Sequence, residues 1–132
     1  MSKKKRVKKV YEEEGQFFAL PHAILNHPDY ISLSWAARSL LIDMGALWNG
    51  HNNGDISIPI SIMKHRGWTS PNLIQKCKAE LLAKDWIRLT RQGHNRVCSL
   101  YALSWKPLSD KGKEKLDIDP AQYKPRSLKP IS

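Results

Sequence analysis

Residues 61–86 read SIMKHRGWTSPNLIQKCKAELLAKDW, and the order of their parts decides how the chain folds. Ser61 to Arg66 suffices for one to two helical turns, and Gly67 tolerates the left-handed backbone that stops a helix. Trp68 and Thr69 then form a tight turn. Ser70 has the short acceptor side chain of an N-cap, and Pro71 stands at the first helical position, where its missing N–H costs nothing. In the helix that follows, Ile74, Cys77, Leu81 and Leu82 form the inward stripe. Asn72, Gln75, Lys76 and Ala79 fall on the other side, which is small, polar and basic.

Upstream, SWAARSLLIDMGALW places Ala37, Leu40, Leu41, Met44, Leu47 and Trp48 at three- and four-residue steps, the stripe of an amphipathic helix N-capped by Ser34. Asn49 and Gly50 are expected to give its left-handed stop, and HNNGD to continue as a loop. Ile56, Ile58 and Ile60 alternate with Ser57 and Pro59, a short strand at a sheet edge because proline cannot donate to a ladder. Before these, FFALPHAIL (17–25) reads as a short helix with Pro21 in its first turn, broken by His27, Pro28 and Asp29.

Downstream, WIRLTR (86–91) alternates, Gln92 to Asn95 is a loop with turn chemistry, and RVCSLYALSW follows, which together predict a β-hairpin over 86–105. After Trp105 four prolines and several lysines and arginines predict an extended basic tail, residues 107–132, with docking by Leu116, Ile118 or Tyr123. Residues 1–14 form an arm: six cations at Lys3, Lys4, Lys5, Arg6, Lys8 and Lys9 are followed by Glu12, Glu13 and Glu14. Such a block repels itself and stays unfolded. It reads equally as a strap along phosphates, a nuclear address or a solubilising tail.

With 132 residues, one core is the limit, and residues 15–106 are its expected extent. The net charge of +10 points to a polyanionic partner, because basic surfaces gain binding energy by releasing counterions from nucleic acid. Cys77 and Cys98 form no CxxC pair, so a reducing compartment and no disulfide are expected. There is no apolar run of secretory or membrane-spanning length. The expected location is cytoplasmic and nucleoid-associated.

Helix, short strand, short helix, tight turn, capped helix and basic hairpin is the order of a winged helix-turn-helix, α+β and mainly α, with a three-helix core and a C-terminal wing. Charge follows the same division. Residues 15–60 carry Arg38 against Asp29, Asp43 and Asp55, a net of minus two. Residues 61–96 carry Lys64, Arg66, Lys76, Lys78, Lys84, Arg88, Arg91 and Arg96 against Glu80 and Asp85, a net of plus six. A solvated face explains many charged surfaces, but here the charge coincides with the turn and the hairpin.

The expected partner is double-stranded DNA, with the helix of residues 70–84 in the major groove and the hairpin on the backbone. Asn72 and Gln75 carry amides that pair bidentately with adenine, and Lys76 reaches guanine acceptors or phosphate. Thr69 and Ser70 would donate to phosphate at the helix N-terminus. Arg88, Arg91, His94 and Arg96 decorate the wing and should supply affinity rather than selectivity, and Lys64, with His65 and Arg66, would touch phosphate from the first helix of the motif. Plain solvation competes with each of these assignments.

Five tryptophans could serve base stacking on single strands. Trp35, Trp48, Trp86 and Trp105 lie beside apolar stripes and read instead as core, and Trp68 as the plug of the turn. The five histidines show no zinc spacing, and no nucleophile, paired carboxylates or phosphate loop suggests an enzyme. No cofactor, metal or small-molecule ligand is expected.

The stretches FFALPHAILNHPDYISLSWAARSLL, WNGHNNGDISI, TSPNLIQKCKAELLAKDWI and YALSWKPL resemble small winged-helix, replication-protein-like proteins of bacterial mobile elements and phages, over about residues 17–108. The resemblance implies DNA binding near a promoter or replication origin. Trp68, where Ile or Leu is usual, and Lys78, where relatives look apolar, depart from that pattern. Sequence-specific transcriptional or replication control is thus the leading function. A winged-helix adaptor that binds a protein, for instance to inhibit a host enzyme, is the alternative, and single-strand or RNA binding a third. Homodimerisation would give a two-fold DNA site.

Overall fold

The computed structural model describes residues 13–110 and 113–129. The basic run at residues 3–9 lies outside them. The described residues are mainly helical, 42% helix and 11% strand, with one two-stranded antiparallel hairpin among them. Helices α1 (His22–Leu25) and α2 (Pro28–Ile31) are single turns that lead into α3 (Trp35–Leu47). After a loop come α4 (Ile60–Met63), a 3-10 turn over Lys64–Arg66, and α5 (Pro71–Ala83). Strands β1 (Ile87–Arg91) and β2 (Leu100–Leu103) follow.

Helix α3 starts where the sequence predicts, with Ser34 Oγ accepting from the Ala37 N–H at 3.1 Å. It buries Ala37, Leu40, Leu41 and Met44 against α5. Its end differs from expectation. Trp48 leaves the helix in extended conformation (φ −75°, ψ 132°), and Gly50 adopts positive φ only later. The Asn52 amide takes the freed Leu47 carbonyl at 3.0 Å while its oxygen accepts from the Asn49 N–H, so a side chain replaces the left-handed cap. Gly45, buried on α3, lies under the ring of Phe18, where a Cβ would overlap the aromatic carbons.

The isoleucine strand shrinks to one residue. Ile56 and Tyr101 exchange both backbone hydrogen bonds, 2.8 and 3.2 Å, and Pro59 then begins the next helix instead of extending the ladder. Ile56 and Ile58 are buried, whereas Ile60 is exposed on α4. Gly67 ends the 3-10 turn at φ +91°, the left-handed geometry that only glycine adopts without cost.

Helix α5 is capped as its sequence implies: Ser70 Oγ accepts from the Leu73 N–H at 3.1 Å, with Pro71 at the first position. Its C-terminus follows the Schellman pattern, Trp86 N–H to Leu81 O and Asp85 N–H to Leu82 O. Asp85 holds the left-handed position at φ +55°, where glycine is usual. Its carbonyl accepts from Ser104 Oγ at 2.6 Å and its carboxylate from Arg88, contacts that offset the strain.

The hairpin is less regular than the alternation suggests. Register runs Ile87↔Leu103, Arg88↔Ala102 and Leu89↔Tyr101, then shifts at a bulge so that Arg91 faces Leu100 and Thr90 is buried. The sharp turn sits at Asn95 (φ +51°) and Arg96, inside a His94–Val97 bridge, three residues beyond the start of the predicted loop. All four β2 residues are buried: Tyr101 and Leu103 join the core, and the segment after Trp105 bonds the strand's end through Tyr123.

That segment is extended, yet anchored. Tyr123 shares its hydroxyl among the carbonyls of Leu103, Ser104 and Lys106 at 3.2–3.4 Å. Arg126 stacks 4.1 Å from the Trp86 ring centroid and donates to Lys84 O and Asp85 O. Asn53, read in the sequence only as turn chemistry, is buried and binds Leu103, Lys106 and Pro107 through its side chain. The NNG loop therefore fastens the far end of the hairpin.

Candidate nucleic-acid interface

Helix α5 presents two faces. Ile74, Cys77 and Leu81 are 3% exposed or less, and Asn72, Gln75, Lys76 and Ala79 all face solvent. Burial pushes the Cys77 thiol above its ordinary range, with Glu80 adding to the effect, so this cysteine is an inert apolar residue at neutral pH. The N-terminal turn of α5 is open: Thr69 is exposed, and Ser70 spends its acceptor on the cap while keeping its O–H free to donate.

The turn before α5 is braced from α3. Trp68 is 8% exposed, and its indole N–H donates to Asp43 Oδ2 at 2.6 Å. Arg66 Nε meets the other oxygen of Asp43 at 3.1 Å. A leucine or isoleucine would fill the same gap without that tie. Arg66 thus pairs with the Asp43 carboxylate while staying exposed, beside the exposed Lys64 and His65 of the short helix.

Gln75 joins the helix to the hairpin. It lines a groove of about 190 Å3 together with Lys78, Cys98, Ser99 and Tyr101, floored by Ile58 and Pro59. Lys78, which the sequence leaves off the list of contacts, lays its ammonium 5.5 Å from the Tyr101 ring centroid. Its stem covers apolar surface while its charge remains at the groove edge. That explains how a lysine fits a position where an apolar residue would also serve, with the buried stripe unrotated.

The hairpin's basic residues divide. His94 and Arg96 are exposed at the hairpin tip. Arg88 is bonded within the chain. Its guanidinium forks onto Asp85 at 2.9 and 3.1 Å, donates to Lys124 O, and lies 5.1 Å from the Tyr123 ring. The hydrogen bond that it donates to Asp85 foremost raises its already high pKa, which fixes it as a charged brace. The left-handed Asp85 aims its carboxylate at the strand, and no sequence pattern signals that. Arg91 is half-buried and donates to Cys98 O at 2.8 Å, which ties the two sides of the hairpin, while its Nε is buried with no partner among the described residues.

Of the predicted contacts, Lys64, Thr69, Asn72, Gln75, Lys76, His94 and Arg96 are open to a partner and Ser70 partly so; Arg66 is exposed but paired with Asp43, and Arg88 and Arg91 are half-buried and bonded within the chain. One aromatic expectation also fails. Trp35 is 83% exposed, because it stands at the first position of α3 on the side facing away from the core. Among the described residues no helix is long and apolar enough to cross a membrane, and no three His, Cys, Asp or Glu side chains gather as metal ligands. Compared with family models, curated proteins and solved structures, the chain matches none.

Proposed function

We propose that this chain is a winged helix-turn-helix protein that binds double-stranded DNA in a sequence-specific manner, as a transcriptional or replication-control factor of a phage or mobile element. The observation that carries the reading is the outer face of α5: Asn72, Gln75 and Lys76 are exposed together, one turn from an open, Ser70-capped helix N-terminus. A major groove admits one helix, and amides and a lysine on its N-terminal half are the groups that match base-edge donors and acceptors.

The Ile56–Tyr101 bridge supports the winged assignment, since it adds a third, one-residue strand to the hairpin. Thr69, Ser70 and Lys64 then meet phosphate from the turn side, and Arg96 and His94 from the wing tip. Lys78 joins them at the groove edge. A net charge of +10 supplies the sequence-independent part of the affinity and suits residence on the nucleoid.

Selection of bound duplexes from a randomised pool tests this. A site preferred by about 10³ over random duplex at physiological salt is expected. A pool that shows no enriched motif overturns sequence-specific binding.

A further inference from the structure

The outer face of α3 carries a knob and a depression side by side. Trp35 projects into solvent at 83% exposure, with only one ring face covered, by the Arg38 guanidinium at 4.9 Å. Beside it, Ala36, Ser39 and Ile42 form one wall of a depression of about 430 Å3, Leu73 of α5 forms the other, and the Arg66–Asp43 pair, Gly67 and Trp68 complete the lining. Ile42 and Leu73 remain 48% and 42% exposed.

We propose that a second copy of this chain covers this face, pairing α3 antiparallel with α3 so that each Trp35 seats against Ile42 and Leu73 of the other copy. A two-fold contact must be self-complementary, with residue i meeting j and j meeting i. A knob and a hole on one surface meet that condition. The axis passes at Ser39, whose small side chain lets the two helices approach closely.

Charge selects the same occupant. The stripe Trp35, Ser39, Ile42, Ala46 carries no charge, and around it stand two cations, Arg38 and Arg66, and one anion, Asp43, which pairs with Arg66 and accepts from Trp68. In a chain of net +10, a nearly neutral face is where two copies meet with least repulsion. The 13 residues of α3 span about 20 Å, so the buried area falls at the low end of specific interfaces and the pairing is reversible and of micromolar strength.

Sedimentation equilibrium of the full chain without DNA, at about 0.3 M salt to screen its charge, keeps the test independent of the DNA-binding proposal. A monomer–dimer equilibrium is expected, with Trp35→Ala weakening it by at least about 10-fold. Trp35 is exposed, so its removal leaves the core intact. In a Cys98→Ser background, Ser39→Cys should cross-link between chains on mild oxidation and Lys124→Cys should not. A chain that stays monomeric to about 0.5 mM, or a dimer indifferent to Trp35→Ala, overturns the proposal.

Discussion

The indole N–H of Trp68 donates to Asp43 Oδ2 at 2.6 Å, so the turn between α4 and α5 is tied to α3 through a carboxylate that also holds Arg66. Removing that carboxylate leaves a largely buried indole donor without a partner. Asp43→Ala should therefore cost about 2–3 kcal/mol in urea unfolding, whereas Arg66→Ala should cost about 1 kcal/mol or less, since the partly exposed ion pair is screened.

Substitutions on the outer surface should separate reading from holding. Asn72→Ala and Gln75→Ala are expected to relax preference at one or two base pairs by about 1–3 kcal/mol each. Lys76→Ala is expected to weaken cognate duplex and, if it meets phosphate, unrelated sequence as well; Arg96→Ala should weaken all duplexes alike and lower the salt slope by about 1. Arg88→Ala should instead lower stability through the loss of its Asp85 fork, with little change in salt slope. Fluorescence anisotropy on cognate and scrambled duplexes, at several salt concentrations, distinguishes the three classes.

The segment after Trp105 should prove structural. Arg126 lies on the Trp86 ring and donates to Lys84 O and Asp85 O, closing the C-terminal end of α5. Arg126→Ala is expected to lower unfolding free energy by about 2 kcal/mol while leaving duplex affinity unchanged at temperatures well below the transition. A loss of affinity without loss of stability would move Arg126 into the interface.

Residues that act through neighbours in sequence were the legible ones. Ser34, Ser70, Pro71 and Gly67 act within four positions, and the stripes of α3 and α5 follow helical period, so caps and buried faces emerge from the chain directly. Asn53, Tyr123 and Arg126 bind backbone 17 to 54 residues distant, and no local pattern marks such partners. The same limit hid the Asp85–Arg88 fork, because it depends on a left-handed aspartate rather than on spacing. Trp35 misled for a related reason: its residue type favours the core, while its place on the helical wheel faces outward.

Tyr123 gives the fold an alkaline dependence. Burial raises its phenol above the ordinary value of 10, and the nearby Arg88 only partly offsets this. The folded chain thus holds the proton more tightly than the unfolded chain. The resulting stability is complete below pH 10 and is lost as pH rises through and beyond that value. Tyr123→Phe should be less stable at neutral pH, and its stability should decline less steeply between pH 9 and 11 in denaturant titrations.

Amide shifts on titration with a selected duplex test the assignment of α5 and the hairpin tip most directly. The largest changes are expected at residues 69–79 and 94–99, with Ala36, Ser39 and Ile42 unmoved by DNA contact. Changes confined to the outer face of α3 or to residues 113–129, with Asn72 and Gln75 unaffected, would contradict the reading of α5 as the recognition helix.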